Sequence, residues 1–333
     1  MKKNRKSFSL LMFSAAVITM GTFTSCEKKD YAIPEPKTNF QNDVIKRSLG
    51  PAVAGTSIEF AYAMALGKMN GKIVSAQVEA SVAGAPATYL EHRSFNTNAS
   101  GQDIGVIVGT PSTNNGNTTL VNFTVDTNAA TLRYYYVVPS AGKGQQVSFT
   151  FSATSSTGEK VSFPMGPYAL SKMDMMLDLA VKENAACYIS IADNAIYTAA
   201  EAALHPEKID LIYLFRNLPT VAFGHSLVAP ATDPLYLQGA VLPAGVNRNA
   251  LISKAGQLRD QQLARLQFGI FIDDADFEKL NIAGSPNYAI NMKAQTGVWV
   301  ETADRKYRAY VYFNSINDAA QSAVISIKRY PLQ

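Results

Sequence analysis

Hydrophobic and polar residues alternate with a period of two through most of the segment from Val53 to Leu170. Along residues 147–153, Val, Phe, Phe and Ala hold the odd positions, and Ser, Thr and Ser hold the even ones. This period places one face of a strand on a core and the other in water. Similar runs lie at 58–66, 74–82, 104–108, 121–125, 132–138 and 160–165. Turn dipeptides such as Asn70-Gly71 and Thr157-Gly158 separate the runs, so residues 41–172 are predicted to form an immunoglobulin-like β-sandwich.

The pattern changes after Pro167. Thr198 and Glu201 have the spacing of a capping box, which predicts a short helix over 199–204. Asp273 or Asp274 is expected to cap a later helix that ends near Gly284. Further strands are predicted at 186–191, 209–215, 297–301, 307–313 and 323–330, and further helices at 247–254 and 257–267. Residues 173–333 are therefore predicted to be an α+β domain, and the chain as a whole to be mainly β.

The N-terminus has the order of a secretory signal: basic residues, an apolar stretch and small residues at a cleavage site. The small residues Thr24 and Ser25 precede Cys26, which resembles the lipobox of bacterial lipoproteins, with Phe23 in place of the usual Leu. The resemblance implies a signal peptide over residues 1–26 and a lipid anchor on Cys26. An ordinary secreted protein with a Cys at this position is the alternative. Residues 27–40 are polar and contain Pro34 and Pro36, which is typical of a flexible tether.

The net positive charge of the chain comes from its predicted signal peptide. The sequence has 30 Lys+Arg and 26 Asp+Glu, and the first 26 residues hold four basic residues and no acidic one. The mature chain thus has 26 charges of each sign, and nucleic acid is not an expected partner. Cys187 is the other cysteine, so no disulfide framework is expected, and its apolar neighbours predict a buried, inert thiol.

No motif of the sequence predicts an enzyme. Gly224-His225-Ser226 begins like the nucleophile elbow of a hydrolase, but Val228 stands where that motif has Gly. Pro230 follows where a helix should run, so a turn after a strand is the preferred interpretation. No catalytic residue is therefore predicted.

Metal sites and cofactors are not expected either. Asp274, Asp276 and Glu278 open like a calcium loop, but Lys279 and Ser285 stand where that loop needs Gly and Glu. The three histidines are far apart in sequence, without the spacing of zinc ligands. The neighbours in Glu91-His92-Arg93 are expected to point to opposite faces of a strand, which argues against joint action.

Aromatic side chains are the candidate ligand-binding residues, because sugars pack their C–H faces on aromatic rings. Trp299 lies between two valines in a predicted strand, and Tyr310 and Tyr312 share one face of the next. At least one of three consecutive tyrosines that include Tyr135 must point outward. If exposed, Trp299, Tyr310, Tyr312 and Tyr135 would offer a platform for a glycan. The alternative is that these rings belong to the core.

Several segments together resemble a family of Bacteroides-type lipoproteins classed as domain of unknown function 4466. The segments are DYAIP at 30–34, QNDVIKR at 41–47, IEFAYAMA at 58–65, YLEHRS at 89–94, LRYYY at 132–136, MGPY at 165–168, IDLIY at 209–213 and FGHSLV at 223–228. The resemblance covers most of the mature chain and implies no activity for any residue. Such lipoproteins often accompany outer-membrane systems for glycan uptake.

The function expected from the sequence is that of an outer-membrane-anchored lipoprotein that binds a ligand without catalysis. Carbohydrate is the favoured ligand, and outer-membrane transporter proteins are the expected partners besides the membrane itself. A structural adhesin or assembly subunit is the alternative, and an enzyme whose carboxylates come together only in space is a third. The sequence leaves open the ligand, the membrane face and the oligomeric state.

Overall fold

The alternating segments of the first half form antiparallel strands. The computed structural model describes residues 37–333, of which residues 39–333 pack as one compact unit. The strands are β1 (Gln41–Lys46), β2 (Ser57–Ala65), β3 (Ile73–Ala80), β4 (Tyr89–Leu90), β5 (Arg93–Thr97), β6 (Asp103–Ile107), β7 (Thr113–Asn115), β8 (Thr118–Asn122), β9 (Ala129–Val137), β10 (Gln146–Ser155) and β11 (Lys160–Ala169). A short 3₁₀ helix, Ser140–Gly142, separates β9 from β10.

Two sheets of this half face each other as a β-sandwich, which confirms the predicted architecture. The first sheet has the order β1-β2-β9-β4, and the second has the order β11-β10-β3-β8-β7. Strands β5 and β6 form a separate hairpin. Phe60 of the first sheet and Phe149 and Phe151 of the second pack edge to face, with ring centroids 5.0 and 5.2 Å apart. These rings hold the alternate positions that the period of two predicted to face the core.

The second half adds two more antiparallel sheets and four short helices. Its strands are β12 (Asp174–Lys182), β13 (Ala186–Ser190), β14 (Ala195–Thr198), β15 (Leu211–Arg216), β16 (Gly224–Val228), β17 (Leu251–Gly256), β18 (Tyr288–Met292), β19 (Gly297–Glu301), β20 (Tyr307–Asn317) and β21 (Ser322–Pro331). The helices are α1 (Ala199–Leu204), α2 (Pro234–Leu237), α3 (Gln261–Ala264) and α4 (Asp274–Lys279), with a 3₁₀ turn at Pro206–Lys208. The predicted α+β character of this half is confirmed.

The third sheet lies in the middle of the second half. Its order is β12-β21-β20-β19-β17, and the fourth sheet has the order β14-β13-β15-β16-β18. The aliphatic face of the third sheet, including Val298, Val300 and Val311, shares a buried core with the fourth sheet. Its aromatic face is buried against residues of α3 and α4, among them Leu263 and Phe277. Both faces of the third sheet are therefore covered.

Capping residues in the sequence correctly predicted the start of two helices. The side chains of Thr198 and Glu201 form the predicted capping box at the start of α1. Asp273 caps α4 in the same way with Asp276, although α4 ends at Lys279 instead of near Gly284. The predicted helix over 247–254 is wrong, because Leu251–Gly256 is strand β17, which pairs with β19. In place of the helix predicted over 257–267, only the four-residue helix α3 forms, since Arg265 adopts a left-handed conformation at its end.

Side chains of α4 link the two halves of the compact unit. The Asp274 carboxylate accepts hydrogen bonds from the Ser171 hydroxyl and from the backbone N–H of Lys172, the latter at 2.9 Å. The Lys143 ammonium of the first half contacts the Asp174 carboxylate of β12. The predicted signal peptide, Cys26 and nearly all of the predicted tether lie outside the described residues. Between residues 37 and 333, no helix has the length and hydrophobicity that a membrane crossing requires.

Candidate functional site

Three of the four aromatic residues proposed from the sequence do not form an exposed platform. Tyr310 and Tyr312 are 0% and 1% exposed, and they belong to the buried cluster on the aromatic face of the third sheet. Trp299 is half-buried there, 4.7 Å from the Tyr310 ring and 5.3 Å from the Phe277 ring between centroids. The shared face was predicted correctly, but α3 and α4 cover it. The prediction of an exposed glycan platform is therefore wrong for these residues.

Tyr135 has a different position, on the outer face of the first sheet. In β9 its neighbours Tyr134 and Tyr136 point into the sandwich core, and Tyr135 points away from it. The Tyr135 ring stacks on the Tyr89 ring of β4 with centroids 4.7 Å apart and planes at 16°. Tyr89 is 41% exposed. Tyr89 could not be identified as a partner of Tyr135 from the sequence, because only the pairing of β4 with β9 brings the two tyrosines together.

Charged side chains flank the stacked tyrosines on both sides. Glu59 of β2 lies opposite Tyr135 in the strand register, and its carboxylate lies 3.7 Å from the Arg47 guanidinium. On the other side, the Glu91 carboxylate contacts both Arg93, at 2.7 Å, and His92, at 3.1 Å. Hydrogen bonding from Arg93 lowers the pKa of Glu91. The prediction that these three neighbours point apart is wrong, since Glu91 and His92 lie between strands and not within one.

The outer face of the first sheet continues from Tyr135 to Arg133 and Thr131, the next outward positions of β9. The Arg133 guanidinium lies over the Phe95 ring of β5, 4.5 Å from its centroid, and contacts Asp103 of β6. Beyond it a groove of about 470 Å³ separates β5 from β1, β2 and β9. Polar residues of the groove include Asn42, Asp43, Ser94, Asn96 and Thr131. We call Tyr89, Tyr135, Arg133 and this groove the tyrosine surface.

The histidine and serine of the Gly224-His225-Ser226 segment lie within strand β16, not in the predicted turn. Ser226 is fully buried, and its hydroxyl donates a hydrogen bond to the backbone oxygen of Leu214 at 3.0 Å. His225 contacts the Tyr213 hydroxyl through Nδ1, at 2.5 Å, and the Asp318 carboxylate through Nε2, at 2.8 Å. Ser226 is the neighbour of His225 in the strand, so its side chain points to the other face. The segment does not form a nucleophile and base pair.

A polar cleft of about 550 Å³ opens beside His225. It lies between the β15–β16 loop, the end of β18 and the β20–β21 turn. Its polar residues are Arg216, Asn217, Asn291, Lys293, Asp318 and Gln321. Glu183 is 3% exposed at its side chain and contacts the Arg216 guanidinium. This cleft is the second concave polar surface of the described chain that we consider as a binding site.

The acidic residues that resemble a calcium loop have structural roles. Asp273 and Asp276 cap α4, Asp274 binds the first half, and Glu278 accepts a hydrogen bond from the Tyr330 hydroxyl at 2.6 Å. Among residues 37–333, no group of three His, Cys, Asp or Glu side chains has the arrangement of a metal site. Cys187 is 5% exposed, and burial raises the pKa of its thiol to about 11.

Comparisons with known proteins identify the family of the chain. Residues 37–170 match the model described as domain of unknown function (DUF4466), and residues 171–332 match domain of unknown function (DUF8576). No curated protein matches. The crystal structure of a DUF4466 family protein from Parabacteroides merdae is 43% identical, with a TM-score of 0.84 over 89% of this chain and 100% of that one.

Two further solved structures show only a distant likeness. BcpA, the major pilin subunit of Bacillus cereus, is 7% identical over 86% of this chain and 66% of that one, with a TM-score of 0.28. The Actinomyces fimbrial adhesin FimA is 10% identical over 89% of this chain and 97% of that one, with a TM-score of 0.27. The identity to the Parabacteroides merdae protein, which holds over its whole length, is the decisive match: the chain belongs to the DUF4466 family.

Proposed function

We propose that this protein is an outer-membrane lipoprotein that binds carbohydrate without cleaving it and that serves a nutrient-uptake system. The stacked pair of Tyr89 and Tyr135 on the outer face of the first sheet carries the proposal. Aromatic rings bind the C–H faces of sugars, and nearby charged groups accept and donate hydrogen bonds to the hydroxyls. Glu59, Glu91 and Arg93 supply such groups next to the pair.

The groove of the tyrosine surface suits an extended ligand. It continues the outer face from Tyr135 past Arg133, and amide and hydroxyl side chains such as Asn42, Asn96 and Thr131 line it. An oligosaccharide bound across this surface would place one sugar on the tyrosines and others in the groove. Polysaccharide is therefore the ligand class that we propose for this surface.

Calorimetry against soluble starch, dextran, mannan and arabinoxylan tests the proposal. We expect at least one polysaccharide to bind, and Tyr135→Ala to weaken that binding by about tenfold or more, which corresponds to about 1.4 kcal/mol. Tyr197→Ala is a matched control, because Tyr197 lies partly exposed in β14, outside the tyrosine surface. Absence of binding to all four polysaccharides, or equal binding by both variants, would contradict the proposal.

The lipid anchor is supported by the signal and the position of Cys26 in the sequence. A diacylglyceryl group with a further acyl chain gives a stable membrane anchor, since each buried CH₂ contributes about 0.8 kcal/mol. Mass spectrometry of the protein extracted from cells is expected to find an acylated residue 26 at the N-terminus. Cys26→Ser is expected to release the protein from the membrane fraction. An unmodified Cys26 behind an uncleaved leader would contradict the anchor.

An assembly subunit that binds protein partners is a second candidate function, and the β5–β6 hairpin favours it. Ile104, Val106 and Ile107 of β6 are 41%, 57% and 58% exposed, and in the described chain β6 pairs only with β5. Exposed apolar side chains on a strand with one unpaired edge are a typical protein contact. Crosslinking in intact cells separates the two functions: an assembly subunit gives a discrete protein adduct that Val106→Lys removes, and a glycan receptor retains its polysaccharide binding in the same variant.

A further inference from the structure

The polar cleft beside His225 has the size of a small-ligand site. Its volume of about 550 Å³ lies within the range of about 300–1,000 Å³ that is typical of ligand pockets. The β15–β16 loop forms one wall, and the β20–β21 turn with the end of β18 forms the other. The cleft belongs to the second half of the chain and shares no lining residue with the groove of the tyrosine surface.

A buried relay holds the Asp318 carboxylate at the rim of this cleft. The side chain of Asp318 is 75% exposed, but one oxygen lies 2.8 Å from Nε2 of His225. The other nitrogen of the His225 ring contacts the Tyr213 hydroxyl, and both of these side chains are buried. An exposed aspartate on a turn normally samples several rotamers. The hydrogen bond from His225 restricts this freedom, so Asp318 presents its second oxygen in a preferred direction and loses less rotamer entropy on binding.

A second buried group holds the Arg216 guanidinium on the opposite wall. The Glu183 carboxylate contacts Arg216 and also accepts a hydrogen bond from the backbone N–H of Phe215 at 3.0 Å. Arg216 itself donates a hydrogen bond to the backbone oxygen of Phe215 at 2.7 Å. The guanidinium has more donors than these contacts use. The buried Glu183 thus fixes the hydrogen-bond donor Arg216 on one wall, and the buried His225 fixes the acceptor Asp318 on the other.

The backbone at the base of the cleft adopts unusual conformations. Gly224 has φ +55° and Asn291 has φ 55°, both in the left-handed region. The pairing of β16 with β18 shifts register between His225 and Leu227. Such irregularities redirect side chains, and they concentrate at functional sites. Here they bring the Asn291 side chain, which has the left-handed backbone that Asn tolerates best, into the lining of the cleft.

The charges of the cleft balance. Arg216 and Lys293 are cationic, and Glu183 and Asp318 are anionic, so the site has no net charge that favours an ion of either sign. The amides of Asn217, Asn291 and Gln321 add donors and acceptors in equal measure, and Val221, which is 49% exposed, adds apolar area. A neutral ligand with many hydroxyls and one apolar face matches this lining.

We propose that the cleft between the β15–β16 loop and the β20–β21 turn is a binding site for a neutral mono- or disaccharide, with Asp318 and Arg216 as fixed hydrogen-bonding groups. This site does not depend on the tyrosine surface. Asp318 accepts hydrogen bonds from two sugar hydroxyls, Arg216 donates to others, and Asn217 and Asn291 complete the polar contacts. His225 and Tyr213 are positioning residues that act through Asp318.

Saturation-transfer NMR and calorimetry with glucose, galactose, mannose, xylose, maltose, cellobiose and lactose test this site. We expect one or more of these sugars to bind, and Asp318→Ala and Asn217→Ala each to weaken binding by about tenfold or more. The Asn217 side chain is exposed, so Asn217→Ala is expected to retain the melting temperature of the wild type. Asp318→Ala also removes the hydrogen-bond partner of the buried His225 ring and is expected to lower the melting temperature, so Asn217→Ala is the variant that tests binding apart from stability. Asp126→Ala, at an exposed aspartate outside the cleft, is the matched control.

The double variant Tyr89→Ala/Tyr135→Ala separates the two sites. Small sugars that still bind to this variant but not to Asp318→Ala support the cleft. Small sugars that bind equally to the wild type and to Asp318→Ala overturn it, and so does a wild-type protein that binds none of the seven. Neither of these negative results affects polysaccharide binding that is lost in Tyr135→Ala, so the cleft can fail while the proposed function holds.

Discussion

The Lys328 ammonium lies 2.6 Å from the Asp260 carboxylate, and both side chains are fully buried beneath α3 on the aromatic face of the third sheet. Lys328 also donates to the backbone oxygen of Ile272 at 2.9 Å. The backbone N–H groups of Leu263 and Ile272 donate to the two oxygens of Asp260 at 2.9 and 2.7 Å. The pair therefore holds residues 260–272 against the aromatic face of the third sheet, where Tyr310 and Tyr312 are buried.

Removal of one partner of this pair is expected to destabilise the fold strongly. Lys328→Met leaves the Asp260 charge buried without its cation, which typically costs about 3–5 kcal/mol. Urea denaturation measures the free energy of unfolding. The double variant Lys328→Met/Asp260→Asn removes both charges and is expected to be more stable than Lys328→Met alone. A loss below about 1 kcal/mol in Lys328→Met would show that the pair is not a structural link.

Asp210 is expected to give the fold a pH dependence of unusual sign. Burial raises the pKa of this carboxyl to about 6, although Arg248 lies 2.8 Å away and opposes the shift. Because the native state holds this proton more tightly than the unfolded state, the contribution is full below about pH 4 and is lost as the pH rises through 6. From the ordinary value of 3.8 the loss is about 3 kcal/mol.

Comparison with Asp210→Asn isolates this contribution from those of the other carboxyls. The free energy of unfolding of the wild type, relative to that of the variant, is expected to fall between pH 4 and pH 7. Denaturation curves at several pH values measure the difference. A difference that is constant across this range would contradict the raised pKa of Asp210.

Cys187 is expected to resist thiol reagents in the native protein. Burial raises the pKa of its thiol to about 11, so little reactive thiolate exists at neutral pH. In a protein of residues 27–333, which contains Cys187 as its one cysteine, Ellman's reagent should therefore react only after denaturant is added. Fast reaction of the native protein would show that the β13 region opens readily.

Gly297 is expected to tolerate no side chain. A Cβ at this position would lie 2.1 Å from the Tyr310 hydroxyl oxygen on the neighbouring strand β20. Gly297→Ala is therefore expected to destabilise the protein by about 1–3 kcal/mol through overpacking. The loss should be smaller in a Tyr310→Leu background, which lacks both the hydroxyl oxygen and the Cζ atom that the Cβ would meet at 2.1 and 2.3 Å, and a double-mutant cycle measures this difference. Equal losses in both backgrounds would place the clash elsewhere.

Local patterns of the sequence determined most of the strands and the direction of their side chains. The period of two located the core positions of the sandwich, such as Phe149 and Phe151, because a strand side chain alternates faces whatever its partners are. It also placed Tyr310 and Tyr312 on one face of their strand and Trp299 on the face opposite its two valines, and the register of β19 with β20 then brings the three together. The capping box at Thr198 was also predictable, because its hydrogen bonds join residues within one turn and depend on local spacing alone.

Tertiary structure decided which faces are covered and which side chains meet. Tyr310 is buried because the segment that holds Asp260 packs over it, and no local pattern of β20 records that contact. Tyr89 meets Tyr135, and His225 meets Asp318, only through strand pairing and sheet packing between distant segments. The period of a strand specifies its two faces, but burial of a face depends on what the rest of the chain places against it. For this reason the sequence did not predict the stacking of Tyr89 on Tyr135 or the polar cleft beside His225.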